Sequence, residues 1–407
     1  MTKPGDKVLD YNFSDRCKNL EGNAIREIFK LISQPDIISF AGGMPASQAL
    51  PKDEMRVILN SLLASDIATS LLQYGATEGY VPFLKEGAKY VEKVGIKIKD
   101  LSEILAISGG QQGIDLTFKA FINKGDRILV EAPTYVAVPH IAKTYEAELI
   151  GVQSDDDGIN LEDLEKMILE HNPKLLYIVP TFSNPTGRTI DVEKRKKIAE
   201  ITAKHNVIVL EDNPYGELRY SGECLPSIKS FDNKGNVIYL TSFSKTISPG
   251  MRVGLAVASE KVIRKLTIGK QATDVHTTTL FQAATTEFLK QGLLKEILDK
   301  NIPLYKVKLD TMLKALAMYF PSSAKWTHPE GGLFIWVTFP KTIDVAGEIF
   351  REAINRKVAY VAGNSSFVDG SGRNCLRLNF SNATETDIMK GIKILGDLLK
   401  EKLEGVC

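Results

Sequence analysis

Residues 236–258 read Asn236-Val-Ile-Tyr-Leu-Thr-Ser-Phe-Ser-Lys245-Thr-Ile-Ser-Pro-Gly-Met-Arg252-Val-Gly-Leu-Ala-Val-Ala258. An apolar run enters and a hydroxyl-rich turn with a single lysine follows. Pro249 and Gly250 then bend the chain, and a second apolar run leaves. Both runs are hydrophobic throughout rather than alternating, the pattern of strands covered on both faces. The same texture recurs at 126–132, 174–179 and 206–211. Helical patterns lie between the runs. Asn160 precedes Leu161, Leu164, Met167 and Ile168 on one face, and Asp191 precedes Val192, Ile198 and Ile201, so both read as N-caps. Strands alternating with helices predict an α/β fold, a three-layer α/β/α domain around a mostly parallel sheet, over residues 46–290. From about residue 291 to 407 the pattern changes to long charged amphipathic helices and a smaller α+β domain. There Cys375-Leu-Arg-Leu-Asn-Phe380 alternates, which predicts a half-exposed antiparallel sheet. Residues 1–45 read as an N-terminal arm containing a helix.

Composition narrows the function classes. In 407 residues, 51 Lys and Arg balance 50 Asp and Glu, which gives no basic footprint for nucleic acid. No apolar run approaches a membrane span and the N-terminus lacks a signal-peptide core, so a cytoplasmic protein is expected. The 4 cysteines are far apart and form neither a disulfide framework nor a zinc ribbon. The 5 histidines show no ligand spacing, so no metal is expected. Metalloprotease, P-loop and serine-hydrolase signatures are missing.

The chemistry sits at strand ends. A lysine at the carboxyl end of an α/β strand lies where ligands bind and can form a Schiff base with a carbonyl. Ser242, Ser244 and Arg252 around Lys245 suit a phosphate, Arg252 through charge-assisted hydrogen bonds. An aldehyde that carries a phosphate describes pyridoxal phosphate. The preceding strand ends in Glu211-Asp212-Asn-Pro-Tyr215, where Asp212 can pair with a pyridinium nitrogen and Tyr215 can donate to a ring oxygen. Asn184, after the strand before that, can reach the same oxygen. Read singly, Asp212 is also an acceptable turn cap and Asn184-Pro185 an ordinary turn. Ser108-Gly-Gly-Gln-Gln112 before a helix frees backbone N–H groups for an anion. Tyr135 can place an aromatic ring over a flat cofactor.

Together these segments resemble the class I/II aminotransferases, pyridoxal-phosphate enzymes of fold type I, and within them the 2-aminoadipate (kynurenine-type) and broad-range aromatic subgroup. The resemblance runs from about residue 24 to 380 and includes Ser39-Phe-Ala-Gly-Gly-Met-Pro45, Gln73-Tyr-Gly75, Asn184-Pro-Thr-Gly187, Glu330-Gly-Gly-Leu-Phe-Ile-Trp336 and Leu376-Arg-Leu378. It implies that Lys245 holds the cofactor and carries the proton. Asp212 would pair with the ring nitrogen, Asn184 and Tyr215 would bind the ring oxygen, and Tyr135 would stack on the ring. The phosphate would be held by Gly110, Gln111, Ser242, Ser244 and Arg252, and by Tyr74 from a neighbouring subunit of a homodimer. Arg377, with Gly43 and Asn184, would bind the substrate, Arg377 gripping its α-carboxylate. Arg26, in a helix expected to close over the site, would meet a side-chain carboxylate. Gly110 departs from relatives that often carry serine there, which removes one hydroxyl from the phosphate loop.

The implied reaction moves an amino group from an L-amino acid to a 2-oxo acid, 2-oxoglutarate being the expected acceptor, by a ping-pong route. β-Elimination on the same cofactor shares the first proton abstraction. A non-catalytic effector domain of a transcription regulator is a further alternative, but only about 38 residues precede Ser39 and they lack basic clustering.

Overall fold

The structure is a computed structural model and describes residues 11–18, 20 and 36–404. After a short first strand β1 (Ile38–Ser39), eight strands build one large sheet: β2 (Ile104–Ile107), β3 (Arg127–Ala132), β4 (Glu148–Asp155), β5 (Gly158–Ile159), β6 (Leu175–Ile178), β7 (Ile208–Asn213), β8 (Val237–Ser242) and β9 (Gly254–Val257). Their order is β2-β9-β8-β7-β6-β3-β4-β5. The central strands β8, β7, β6, β3 and β4 run parallel. Strand β9 is antiparallel to both of its neighbours. Strands β6 and β8 are buried at every position, as their unbroken apolar runs require.

Successive side chains feed two cores. Leu175 and Tyr177 join one with Ile114 and Phe118 of the helix Gly110–Phe121. Leu176 and Ile178 join the other with Leu164, Ile168 and Ile198 of the helices Leu161–His171 and Val192–Lys204. A sheet with a separate apolar core on each face is the three-layer arrangement. Both expected caps are made: Asn160 accepts from the Asp163 N–H at 2.8 Å and Asp191 from the Lys194 N–H at 2.7 Å.

The C-terminal part carries a 27-residue helix, Leu293–Tyr319, and the helix Glu385–Glu404. A four-stranded antiparallel sheet joins β10 (Lys325–Trp326), β11 (Phe334–Thr338) and, beyond β12 (Val358–Ala359), β13 (Val361–Ala362) and β14 (Cys375–Asn379). One expectation is corrected here. The alternation in β14 predicted a half-exposed strand, yet all five of its positions are buried. Its polar residues turn inward because they have partners there: Arg377 lines a cavity, and Asn379 donates to the Leu333 carbonyl at 3.2 Å. The arm also docks, which the pattern alone did not reveal. Strand β1 pairs in parallel with β12, and the Phe40 carbonyl accepts from the Asn379 N–H at 2.8 Å. This stitching carries residues 41–43 to the cavity.

Candidate active site

The ends of β6, β7 and β8 converge on a cavity of about 300 Å³, at the low end of the range for small-ligand sites. Residues brought together there include Lys245, Asp212, Tyr215, Asn184, Tyr135 and Arg377. Gly43 lines the same wall, and Gly110, Gln111, Ser242, Ser244 and Arg252 line the end beside the helix Gly110–Phe121. One expected residue stands apart and one is not described. Tyr74 is 80% exposed, its ring edge-on to His276 with centroids 6.0 Å apart, away from the cavity. Arg26 lies outside the described residues.

Lys245 follows β8 in a tight turn, and its Nζ donates to the Gly43 carbonyl at 2.9 Å. Burial, reinforced by the charges of Arg252 and Arg377, pulls its pKa down from 10.5 to about 8. Asp212, on β7, is buried. Its Oδ2 accepts from the Tyr177 hydroxyl at 2.9 Å, while Oδ1 has no partner. Burial lifts its pKa from 3.8 to about 6 against the opposing Tyr177 bond. Tyr177 belongs to the apolar run of β6 and was not singled out from sequence. A lone hydroxyl in an otherwise apolar buried strand is the signal that marks it.

Arg377 is 5% exposed. Its Nη1 donates to Asn184 Oδ1 at 2.8 Å, its Nη2 donates to the Ala41 carbonyl, and its Nε is buried without a partner. The guanidinium lies 4.4 Å from the centre of the Phe334 ring, which fixes its plane. Gly43 packs closely on the same ring, where a Cβ would stand 3.3 Å from it. Asn184 Nδ2 faces the Tyr215 hydroxyl at 3.5 Å.

At the other end, the Ser242 hydroxyl donates to Ser244 Oγ at 2.8 Å. Arg252 Nη2 donates to the Ser108 carbonyl at 2.9 Å. Gly109 has φ +85°, and a Cβ there would fall 2.5 Å from the guanidinium, so only glycine lets the turn meet Arg252. At Gly110 a Cβ would find only Asp212 Oδ1, at 3.5 Å, so the missing serine hydroxyl is not excluded by space.

Pyridoxal phosphate fits these donors. The orphaned buried Asp212 oxygen calls for a cationic N–H. Two hydroxyls, a guanidinium and the N-terminus of a 12-residue helix await an anion at the opposite end. Lys245 stands between them. Among the described residues no group of three or more His, Cys, Asp or Glu is placed to hold a metal, and no helix is long and apolar enough to cross a membrane.

Known proteins agree. An aromatic-amino-acid aminotransferase of Thermococcus litoralis is 40% identical over 98% of this chain and 96% of its own. The crystal structure of a Pyrococcus horikoshii kynurenine aminotransferase superposes with a TM-score of 0.92 at 40% identity, covering 96% of this chain and 98% of its own. That of the alpha-aminoadipate aminotransferase of Thermus thermophilus, complexed with N-(5'-phosphopyridoxyl)-L-leucine, gives 0.89 at 34% identity over 96% and 98%. The family model "Aminotransferase class I and II" matches residues 43–395. With its lysine, aspartate and arginine gathered in one cleft, the chain belongs to the class I and II aminotransferases and takes pyridoxal 5'-phosphate as its cofactor.

Proposed function

We propose that this aminotransferase takes aromatic and other apolar L-amino acids as donors and 2-oxoglutarate as acceptor, in the cytoplasm. The observation behind the donor class is the cavity wall formed by Ala41, Met44, Val136 and Val179, which carries no charge. Among the described lining residues the cations are Lys245, Arg252 and Arg377. Phosphate and α-carboxylate occupy the two arginines, which among the described lining residues leaves none for a second carboxylate. The relatives named for aromatic amino acids and kynurenine support the same class.

When bound, pyridoxal phosphate supplies an electrophilic aldehyde and an electron-withdrawing ring. The chain supplies the rest. Arg377 grips the substrate α-carboxylate, orienting Cα toward Lys245. The Lys245 amine, its pKa drawn down to about 8, exists partly unprotonated near neutral pH and accepts the Cα proton at Nζ. Asp212 holds a proton at the ring nitrogen, and Asn184 and Tyr215 bind the ring oxygen. Tyr135 covers the ring. Ser242, Ser244, Arg252 and the backbone of Gly110 and Gln111 hold the phosphate.

A donor panel followed by the spectral change of a single half-reaction tests the substrate class. Phenylalanine, tyrosine, kynurenine and leucine are expected to react faster than aspartate; a strict preference for acidic donors overturns it. We assign the acceptor's distal carboxylate to Arg26. Arg26→Ala is expected to lower kcat/KM for glutamate, 2-oxoglutarate and aminoadipate by about 1–3 kcal/mol while sparing leucine and aromatic donors. Equal losses for both classes would assign the arm helix to closure only.

The functional unit we infer is a homodimer with shared sites, divided into an arm (1–45), a large domain (46–290) and a small domain (291–407). Support comes from the exposed apolar strip of Leu63, Ile67, Leu72 and Tyr74, all on one stretch of chain. Tyr74 would reach the phosphate of the neighbouring site. Mixing inactive Lys245→Ala chains with inactive Tyr74→Ala chains is expected to restore activity, because one heterodimer site regains both residues. A fully active monomer in sedimentation ends the proposal.

A further inference from the structure

Behind the phosphate end of the cavity sits a buried cation that none of the steps above uses. Lys270 stands in the last turn of the helix Glu260–Gln271, and its side chain is 0% exposed. Its ammonium donates to Gln112 Oε1 at 2.7 Å and to the two Asp274 oxygens at 2.9 and 3.0 Å. Asp274 Oδ2 also accepts from Gln112 Nε2 at 2.6 Å and from the Ser108 hydroxyl at 2.9 Å. Gln112 Oε1 in turn accepts the Ser108 backbone N–H at 2.7 Å. The Ser108 carbonyl is the group that receives Arg252.

A buried ammonium is costly unless it is paired and hydrogen-bonded, and an apolar side chain would fill the same space more cheaply. What the ion pair adds is orientation. A carboxamide facing a lone neutral group can turn over; here the cation demands Oε1 and the carboxylate demands Nε2, so only one orientation of Gln112 satisfies both. That orientation ties Ser108 from both sides, through its N–H and its hydroxyl. It thereby sets the turn on which Gly110, Gln111 and Arg252 depend. The missing hydroxyl at Gly110 leaves this loop more dependent on its backbone geometry.

We propose that Lys270, with Asp274, is a positioning residue that locks the 108–112 turn and Arg252 in place for the cofactor's phosphate. The inference rests on the assignment of this end of the cavity to phosphate. The apoprotein is titrated with pyridoxal phosphate and with pyridoxal, which keeps the ring and aldehyde but lacks the phosphate. Lys270→Met is expected to raise the dissociation constant for pyridoxal phosphate tenfold or more and to change that for pyridoxal less than twofold. Inorganic phosphate is expected to compete correspondingly less well against pyridoxal phosphate. Equal weakening of both ligands, or an unchanged affinity for pyridoxal phosphate, overturns the proposal. Should Lys270→Met fail to fold, Asp274→Asn keeps the shape, breaks the ion pair and is held to the same two outcomes. A wild-type apoprotein that binds pyridoxal as tightly as pyridoxal phosphate would overturn the phosphate assignment itself and this inference with it.

Discussion

Lys245→Ala is expected to lower turnover by about 10⁴-fold or more while making the apoprotein more stable at neutral pH. A positioned acid–base group contributes about 10²–10⁴-fold, and loss of the covalent anchor adds to that. The stability gain follows from the cost of enclosing the ammonium. The Lys245 side chain is partly buried and hydrogen-bonded to Gly43. Its pKa falls from 10.5 in the unfolded chain to about 8 in the fold, so the unfolded state binds the proton more strongly. The charged lysine therefore destabilises the fold by about 3 kcal/mol below pH 8, and the penalty fades as pH rises from 8 toward 10.5. Thermal melts of the two apoproteins should differ most at pH 7 and converge only above about pH 10.5, less the small loss from removed methylenes. Borohydride reduction of the wild-type holoenzyme with peptide mapping is the companion measurement; a label on another lysine sinks the assignment.

The second large effect belongs to Asp212→Asn. Shape and the Tyr177 hydrogen bond survive, and the negative charge does not. Deprotonation at the substrate Cα is expected to slow by about 10³-fold, the scale of losing one aimed electrostatic group, with a smaller change in cofactor affinity. The apoprotein moves the other way. A carboxyl whose pKa rises from 3.8 to about 6 on folding binds its proton more strongly in the fold, so stability falls as pH rises through that window. Above pH 6 the buried anion costs about 3 kcal/mol in the empty protein, and the asparagine removes that cost. Apo Asp212→Asn should therefore melt higher than the apo wild type at pH 8 and at nearly the same temperature at pH 4. Near-normal turnover in the variant would reduce the carboxylate to a turn cap.

What the sequence revealed follows from where its signals are local. Strands β6 to β9 stood out because burial on both faces leaves an unbroken apolar run. Caps at Asn160 and Asp191 stood out because a side chain there answers a backbone group three residues on. Strand β2 escaped because four residues, Ile-Leu-Ala-Ile, make too short a run to tell from a helix turn. Strand β4 escaped because it is only partly buried, with one fully covered position. Lys245, Asp212 and Asn184 were legible because each lies at or beyond a strand end. The contacts that hold Arg377 were not, since Ala41, Asn184 and Phe334 reach it from three distant parts of the chain. The Lys270–Asp274–Gln112 cluster was hidden for the same reason: its meaning is in partners, not in spacing.

The hydrogen bond from Arg377 to Ala41 spans 336 residues of sequence. On a ribosome adding about 5–20 residues each second, the arm waits on the order of 20–70 s for the strand that will seat it. The large sheet, whose last strand ends at Val257, can be complete well before then. The nascent chain can thus pass through a stage in which the strands bearing Asp212 and leading to Lys245 are formed and the arm with its Arg377 contact is not. During synthesis, cofactor capture can precede the ability to recognise an amino acid.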